Sequence, residues 1–196
     1  MKPLYKNIYI VVEGSSEQSF FTRLNAFCFN KEIPISFKVE NAEGYKWPKL
    51  AAAIKKAGKK LNNDNEALFQ HVLVFLDYDV FKRGEDLSIY NRKLGNNLYF
   101  FEFCFEDFLD SLLPEKQQQH WKEICTAQDH YNNPMKSSTA ERFIKQVFPT
   151  YHKGICPFIE ITDTHIKNMC TNQFHEDIQH AEVILKQLLQ QETSEY

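Results

Sequence analysis

The chain has 196 residues, 43% hydrophobic and 25% charged, which is a globular composition with room for one good core rather than two full domains. Its formal net charge of −3 excludes a general electrostatic pull on polyanions, so a nucleic-acid partner would need a local basic patch or bound cations. No apolar run approaches the roughly 20 residues of a membrane-crossing helix, and the first residues lack an export pattern; a cytoplasmic protein with no membrane partner is expected.

Ile8-Tyr9-Ile10-Val11-Val12 is a continuous β-branched run, the pattern of a strand buried on both faces. It stops at Glu13-Gly14, and Ser15 with Gln18 reads as a capping box opening a helix over Ser16 to about Phe29, whose Phe20, Phe21, Leu24 and Phe27 fall at helical spacing. Alternation through Ile33, Ile35, Phe37 and Val39 predicts a second strand. Trp47, Leu50, Ala51, Ile54 and Leu61 predict a second helix, with Lys55, Lys56, Lys59 and Lys60 on its solvated face. Trp47 is expected in the core.

His71 to Leu76 predicts a third strand ending at Asp77-Tyr78-Asp79. A short helix near Leu87 to Lys93 and a fourth strand over Leu98 to Phe105 follow, the latter running into a helix start at Glu106-Asp107-Phe108-Leu109. From Pro114 onward the pattern is helical: Glu115 to Gln128, a segment opened by a capping box at Ser138 and Glu141, a break at Tyr151-His152-Lys153-Gly154, and a last helix from about Glu176 to Gln191. Alternating strands and helices predict an α/β fold. Its four-stranded, mainly parallel sheet (Rossmann-like) would carry flanking helices and a helical C-terminal extension. Residues 1–113 would form the core unit and 114–196 a helical part packed on it as a single compact body.

Five cysteines, Cys28, Cys104, Cys125, Cys156 and Cys170, are odd in number and show no Cys-x-x-Cys spacing. Reduced, mostly buried thiols are expected in place of a zinc or disulfide framework. The seven histidines form no ligand-spaced pair, and Glu-Gly-Ser-Ser lacks the Gly-Lys-Ser/Thr ending of a phosphate-binding loop.

The acids carry the functional signal. Glu13 directly follows the first strand, Asp77 and Asp79 follow the third, and Glu106 follows the fourth; open α/β sheets bind ligands at those carboxyl ends. Glu17, in the first turn of the first helix, can point back toward Glu13. Taken singly, each acid reads as a turn, cap or first-turn residue. Together they would repel one another unless cations neutralise them. Mg²⁺ or Mn²⁺ suits an all-oxygen site that retains water, and this many carboxylates can hold two ions for phosphoryl chemistry.

Glu13-Gly14-Ser15-Ser16-Glu17 after a strand, then Leu76-Asp77-Tyr78-Asp79, resembles the Toprim domain, in the Glu-Gly-x-x-Glu form of its OLD-like and RloB-like branch. Phe103-Cys104-Phe105-Glu106-Asp107-Phe108-Leu109 is similar to that branch's Cys-Phe-Glu segment. Where the branch has Asn-Pro before it, this chain has Glu102-Phe103, so Glu102 competes with Glu106 as the later acid. Tyr151-His152-Lys153-Gly154 resembles the late Tyr-x-Lys element, in which lysine approaches the scissile phosphate. The resemblance implies a Toprim sheet and a metal-dependent endonuclease or nickase acting on nucleic acid, DNA ahead of RNA. Glu13, Glu17, Asp77, Asp79 and Glu106 would be metal ligands, with Glu13, Asp77, Asp79 and Lys153 catalytic. It also implies a role in bacterial anti-phage defence, a separate ATPase subunit as partner, and homo-oligomerisation. Two alternatives stand beside it: a catalytically inert module that binds an ATPase or nucleic acid, and an RNA-processing Toprim enzyme.

Overall fold

The computed structural model describes residues 5–82, 84–101, 103–169 and 178–191. Glu102, Cys170, His175 and the expected start of the last helix at Glu176 lie outside them.

The apolar run Ile8 to Val12 lies within β1 (Lys6–Val12), and it is buried because strands flank it on both edges and helices cover both faces. β2 (Ile35–Asn41) pairs with it along its length, and β3 (Leu73–Asp77) lies on its other side, with Ile10 opposite Leu73 and Val12 opposite Phe75. β4 (Leu98–Phe101) completes the order β2-β1-β3-β4, and every pairing is parallel. The chain leaves β1 toward β2 but leaves β3 toward β4. The carboxyl ends of β1 and β3 therefore face connections that diverge, which makes that junction the topological switch point where such sheets open a crevice.

Strand alternation sends side chains to two cores. Ile8, Ile10, Val12, Phe75 and Phe101 pack beneath α1 (Ser15–Asn30). Tyr9, Val11, Val74, Leu76 and Phe100 pack beneath α2 (Trp47–Leu61). After β3 come α3 (Asp79–Lys82) and α4 (Leu87–Leu94), whose Tyr90 joins the second core. The first core also takes in α5 (Phe105–Ser111), α6 (Glu115–Ala127), α7 (Ser137–Val147) and α9 (Ala181–Gln191). The short α8 (Asp163–Asn168) lies along the surface, its Asp163 paired with Lys31 at the end of α1. Phe20 meets Phe21, Phe105 and Phe108 edge-on, so the abundant phenylalanines form the contact between α1 and α5.

Each outer strand carries a main-chain contact from outside the sheet at one residue. On β2, the Asn25 side chain of α1 mimics a neighbouring strand: its Oδ1 accepts from the Phe37 N–H at 2.8 Å and its Nδ2 donates to the Phe37 carbonyl at 3.0 Å. On β4, the Phe100 N–H donates to the Gln179 carbonyl at 2.8 Å, and Phe100 forms a bridge with His180.

Several local expectations are corrected. Gly14, not Ser15, is the N-cap of α1, and no side chain caps it. α7 begins at Ser137 behind Lys136 with no side-chain cap, and Glu141 instead accepts from Lys145 at 3.0 Å. The reciprocal cap that does form, Thr162 with His165, opens α8. The fourth strand ends at Phe101 rather than Phe105, because Cys104 is already the extended N-cap of α5. Lys56 and Lys60, read as merely solvated, both pair with Glu40 of β2, which is 6% exposed. Trp47 is half-buried, edge-on to Tyr90, with the Lys93 ammonium 4.0 Å from its ring. Cys28, Cys104, Cys125 and Cys156 are buried thiols outside any disulfide, as expected. No helix among the described residues is long and apolar enough to cross a membrane.

Candidate metal centre

Parallel register brings the first acids together. Val12 pairs with Phe75 and Asp77 pairs with Phe101, so Glu13, Asp77 and the turn after β4 share one edge of the sheet, with adjacent strands about 4.8 Å apart. A cavity of about 430 Å³ opens there. Glu13, Glu17, Asp77, Asp79, Glu106 and Lys153 all line it, so the structure brings these six residues to one place.

Each side chain is placed by its element. Glu13 leaves the end of β1, and its carbonyl accepts from the Gly44 N–H at 2.8 Å, which folds the β2–α2 connection over the cavity. Glu17 is the third residue of α1 and turns back over Gly14. A Cβ on Gly14 would lie 3.2 Å from Glu17 Oε2, and the Gly14 N–H supports the carboxylate. This is half of a capping box, with the acid at the third helical position reaching the N-cap backbone. Asp77 ends β3, and Asp79 opens α3 at 3% exposure. Glu106 sits in the first turn of α5, and its Oε1 accepts from the Tyr151 hydroxyl at 2.9 Å.

Lys153 comes from the far side, on a turn tied to α1. The Gly154 N–H donates to Ser16 Oγ at 2.9 Å and the Cys156 N–H donates to Ser19 Oγ at 2.9 Å. Gly154 has φ 89°, a left-handed value that favours glycine. His152 is exposed and does not join the cavity lining.

The electrostatics record the crowding. Burial pushes the Asp77 carboxyl well above its ordinary range, and the charges of Glu13, Glu17, Asp79 and Glu106 push it further. Burial raises Glu17 to about 7, with Glu106 adding to the rise, while its backbone N–H partners and Lys153 oppose it. Asp77 Oδ1 is buried with no hydrogen-bond partner among the described residues. A buried acceptor without a donor costs about 1–3 kcal/mol, which a cation would recover. The donor set is all oxygen, and it fits Mg²⁺ or Mn²⁺.

Sequence reasoning missed several lining residues: Asn41, Glu43, Glu141, Cys104 and His130. The last two, with Asp107, place ligand atoms within 4.8 Å of one another, close enough for a metal. Their hydrogen bonds favour a different role. His130 Nδ1 accepts from the Met135 N–H at 3.0 Å, so the neutral ring carries its proton on Nε2, facing Asp107 Oδ2 at 4.0 Å and Cys104 Sγ at 3.7 Å. A metal on Nε2 would require an imidazolate. Burial, then Asp107, push the Cys104 thiol well up, and it donates to Asp107 Oδ2 at 3.0 Å. Asp107 Oδ1 accepts from Trp121 Nε1 at 2.8 Å and from the Tyr131 hydroxyl at 3.3 Å. The group is a hydrogen-bonded knot that fixes the first turn of α5, and hence Glu106.

Fold and site together define an open, all-parallel α/β protein with a carboxylate-lined cavity at its switch point. No family model, curated protein or solved structure matches the chain.

Proposed function

We propose that the protein is a divalent-metal-dependent nuclease of Toprim type, from the OLD-like and RloB-like branch, that hydrolyses nucleic-acid phosphodiesters. One observation carries the reading. Acids from the ends of β1 and β3 and from the first turns of α1, α3 and α5 line one cavity, where their mutual repulsion calls for cations.

Glu13, Glu17, Asp77, Asp79 and Glu106 would hold the ions. Bound Mg²⁺ or Mn²⁺ would supply charge neutralisation at the phosphate and a more acidic water. The carboxylates do the orienting, and an ionised one accepts the proton of the attacking water. Lys153, exposed at the cavity wall, would offset negative charge building on the phosphate oxygens as the P–O bond breaks. The chain's net charge of −3 makes this local arrangement the main attraction for a polyanion. DNA is the favoured substrate, and the roles in phage defence and beside an ATPase follow from the same resemblance.

The test is cleavage of supercoiled DNA and of structured RNA with Mg²⁺ or Mn²⁺, compared with chelator and with the Asp77→Asn/Asp79→Asn protein. Cleavage of either substrate that needs both the cation and the two aspartates supports the reading. Intact substrates under every condition, together with no cation binding, would overturn it.

A further inference from the structure

Glu106 has one carboxylate oxygen committed to a buried phenol. Tyr151 is 2% exposed, and its hydroxyl donates to Oε1 at 2.9 Å, leaving Oε2 as the oxygen not engaged by the phenol. The phenol is itself held. The Ser16 side chain bears on its oxygen, while Ser16 Oγ accepts from the Gly154 N–H at 2.9 Å. Ser16 belongs to α1, Glu106 to α5, and Tyr151 and Gly154 flank Lys153. Three separated segments therefore meet in one hydrogen-bonded chain that fixes the Glu106 carboxylate relative to the Glu13–Glu17 turn. α5 is fixed independently from below by Asp107 and its partners Trp121, Cys104 and Tyr131.

Ca²⁺ differs from Mg²⁺ and Mn²⁺ in what it asks of a carboxylate. Ca²⁺ takes six to eight oxygens and readily accepts both oxygens of one carboxylate. Mg²⁺ and Mn²⁺ favour octahedral sites with single-oxygen donors and retained water. A phenol clamped on one oxygen therefore disfavours the two-oxygen mode. We infer that Tyr151 is a positioning residue that restricts Glu106 to one oxygen donor and so biases the cavity toward Mg²⁺ and Mn²⁺ over Ca²⁺. This inference rests on the metal-centre reading above. It adds a determinant of ion selectivity that acts through Glu106 without touching the ion.

The experiment is calorimetric titration of the full chain with Mn²⁺ and, separately, Ca²⁺, on the wild type and on Asp77→Asn, Tyr151→Phe and Ser16→Ala, each with a metal-free melting curve. The wild type should prefer Mn²⁺, and Asp77→Asn should lose binding of both. Tyr151→Phe removes a single oxygen. It should weaken Mn²⁺ about tenfold, the usual scale for losing an outer partner of a ligand, while Ca²⁺ affinity holds or rises, so the preference narrows by a similar factor. A merely structural role would lower the metal-free melting temperature and leave the preference where it was.

A Tyr151→Phe preference within about twofold of wild type, in a wild type whose binding requires Asp77, overturns the inference and leaves the metal centre standing. A wild type that binds neither cation removes the metal centre and the inference with it. If Tyr151→Phe does not fold, Ser16→Ala decides. A preference narrowed by about threefold or more supports the chain of contacts, and an unchanged one overturns it.

Discussion

The Asp79 backbone N–H donates to the Phe103 carbonyl at 2.8 Å. That bond ties the turn after β3 to the turn after β4, and each turn carries part of the acid cluster: Asp77 and Asp79 on one side, Glu106 on the other. The carboxylates are held near one another by backbone contacts independent of their charge. Removing charge should therefore leave the geometry in place and relieve repulsion.

Asp77→Asn with Asp79→Asn should abolish cleavage, by about 10³-fold or more. The same change should raise the melting temperature of the metal-free protein at pH 8 by about 3–6 °C, or ~1–2 kcal/mol at this chain length. Activity assays and metal-free melting curves check both halves. A melting temperature that falls sharply instead would mark the aspartates as structural.

The metal-free protein should become more stable as pH falls from 8 toward 5. Glu17 is raised to about 7 and Asp110 to about 8, both chiefly by burial, and Asp77 is raised as well. For carboxyls raised on folding, the stabilising contribution is complete below the unfolded value, roughly 4. It is lost as pH climbs through the folded values. Asp64, Asp86 and Asp129, lowered chiefly by hydrogen bonds from neighbouring backbone or side-chain groups, give up their contribution only below about pH 4 and so do not offset the trend in this window. Urea titrations at pH 5, 6.5 and 8 would show it, and Mg²⁺ should flatten the slope at the upper end. A metal-free stability that is level across this range would contradict the crowding of the cavity.

Gly14→Ala isolates the position of Glu17. Gly14 has φ −144° and ψ −173°, extended backbone open to any residue, but the added methyl would stand 3.2 Å from Glu17 Oε2. The fold should survive with a melting temperature within about 2 °C of wild type. Mn²⁺ affinity should fall by roughly tenfold as the carboxylate is displaced. Equal affinity would show that Glu17 does not need its place over Gly14.

Gly154→Ala should cost ~1 kcal/mol or more, a drop of about 2–4 °C, because φ 89° strains any side chain and the new Cβ would meet Ser15 Cβ at 3.4 Å. Cleavage should fall with it as Lys153 shifts. Gly58→Ala is the contrast. It lies inside α2 with nothing within 4 Å of the added methyl, and should stabilise by about 0.5–1 kcal/mol without changing activity. Melting curves of the two variants, moving in opposite directions, are the check.

The parallel sheet and the acids at its edge were legible for a shared reason. A strand buried on both faces must be written as an unbroken apolar run, and the first polar residue after it marks the carboxyl edge, so Glu13 and Asp77 announce themselves. The first helix cap was misread because Ser15 is used elsewhere: its Oγ accepts from the side chain of Asn41, which is not near in sequence. The knot of Cys104, Asp107 and His130 carries no local signal either, since it depends on how α6 returns against α5. Glu141 looked like a cap from its three-residue spacing to Ser138, but its placement on the cavity wall comes from the packing of α7.

The side-chain amide of Asn25 on Phe37 and the Gln179 carbonyl on Phe100 also limit how copies of this protein could assemble. With a surrogate neighbour at one position on each outer strand, the main-chain groups of Phe37 and the N–H of Phe100 are already taken. A strand added from a second copy at either margin would have to displace these bonds, which disfavours continuation of the sheet into a neighbouring molecule.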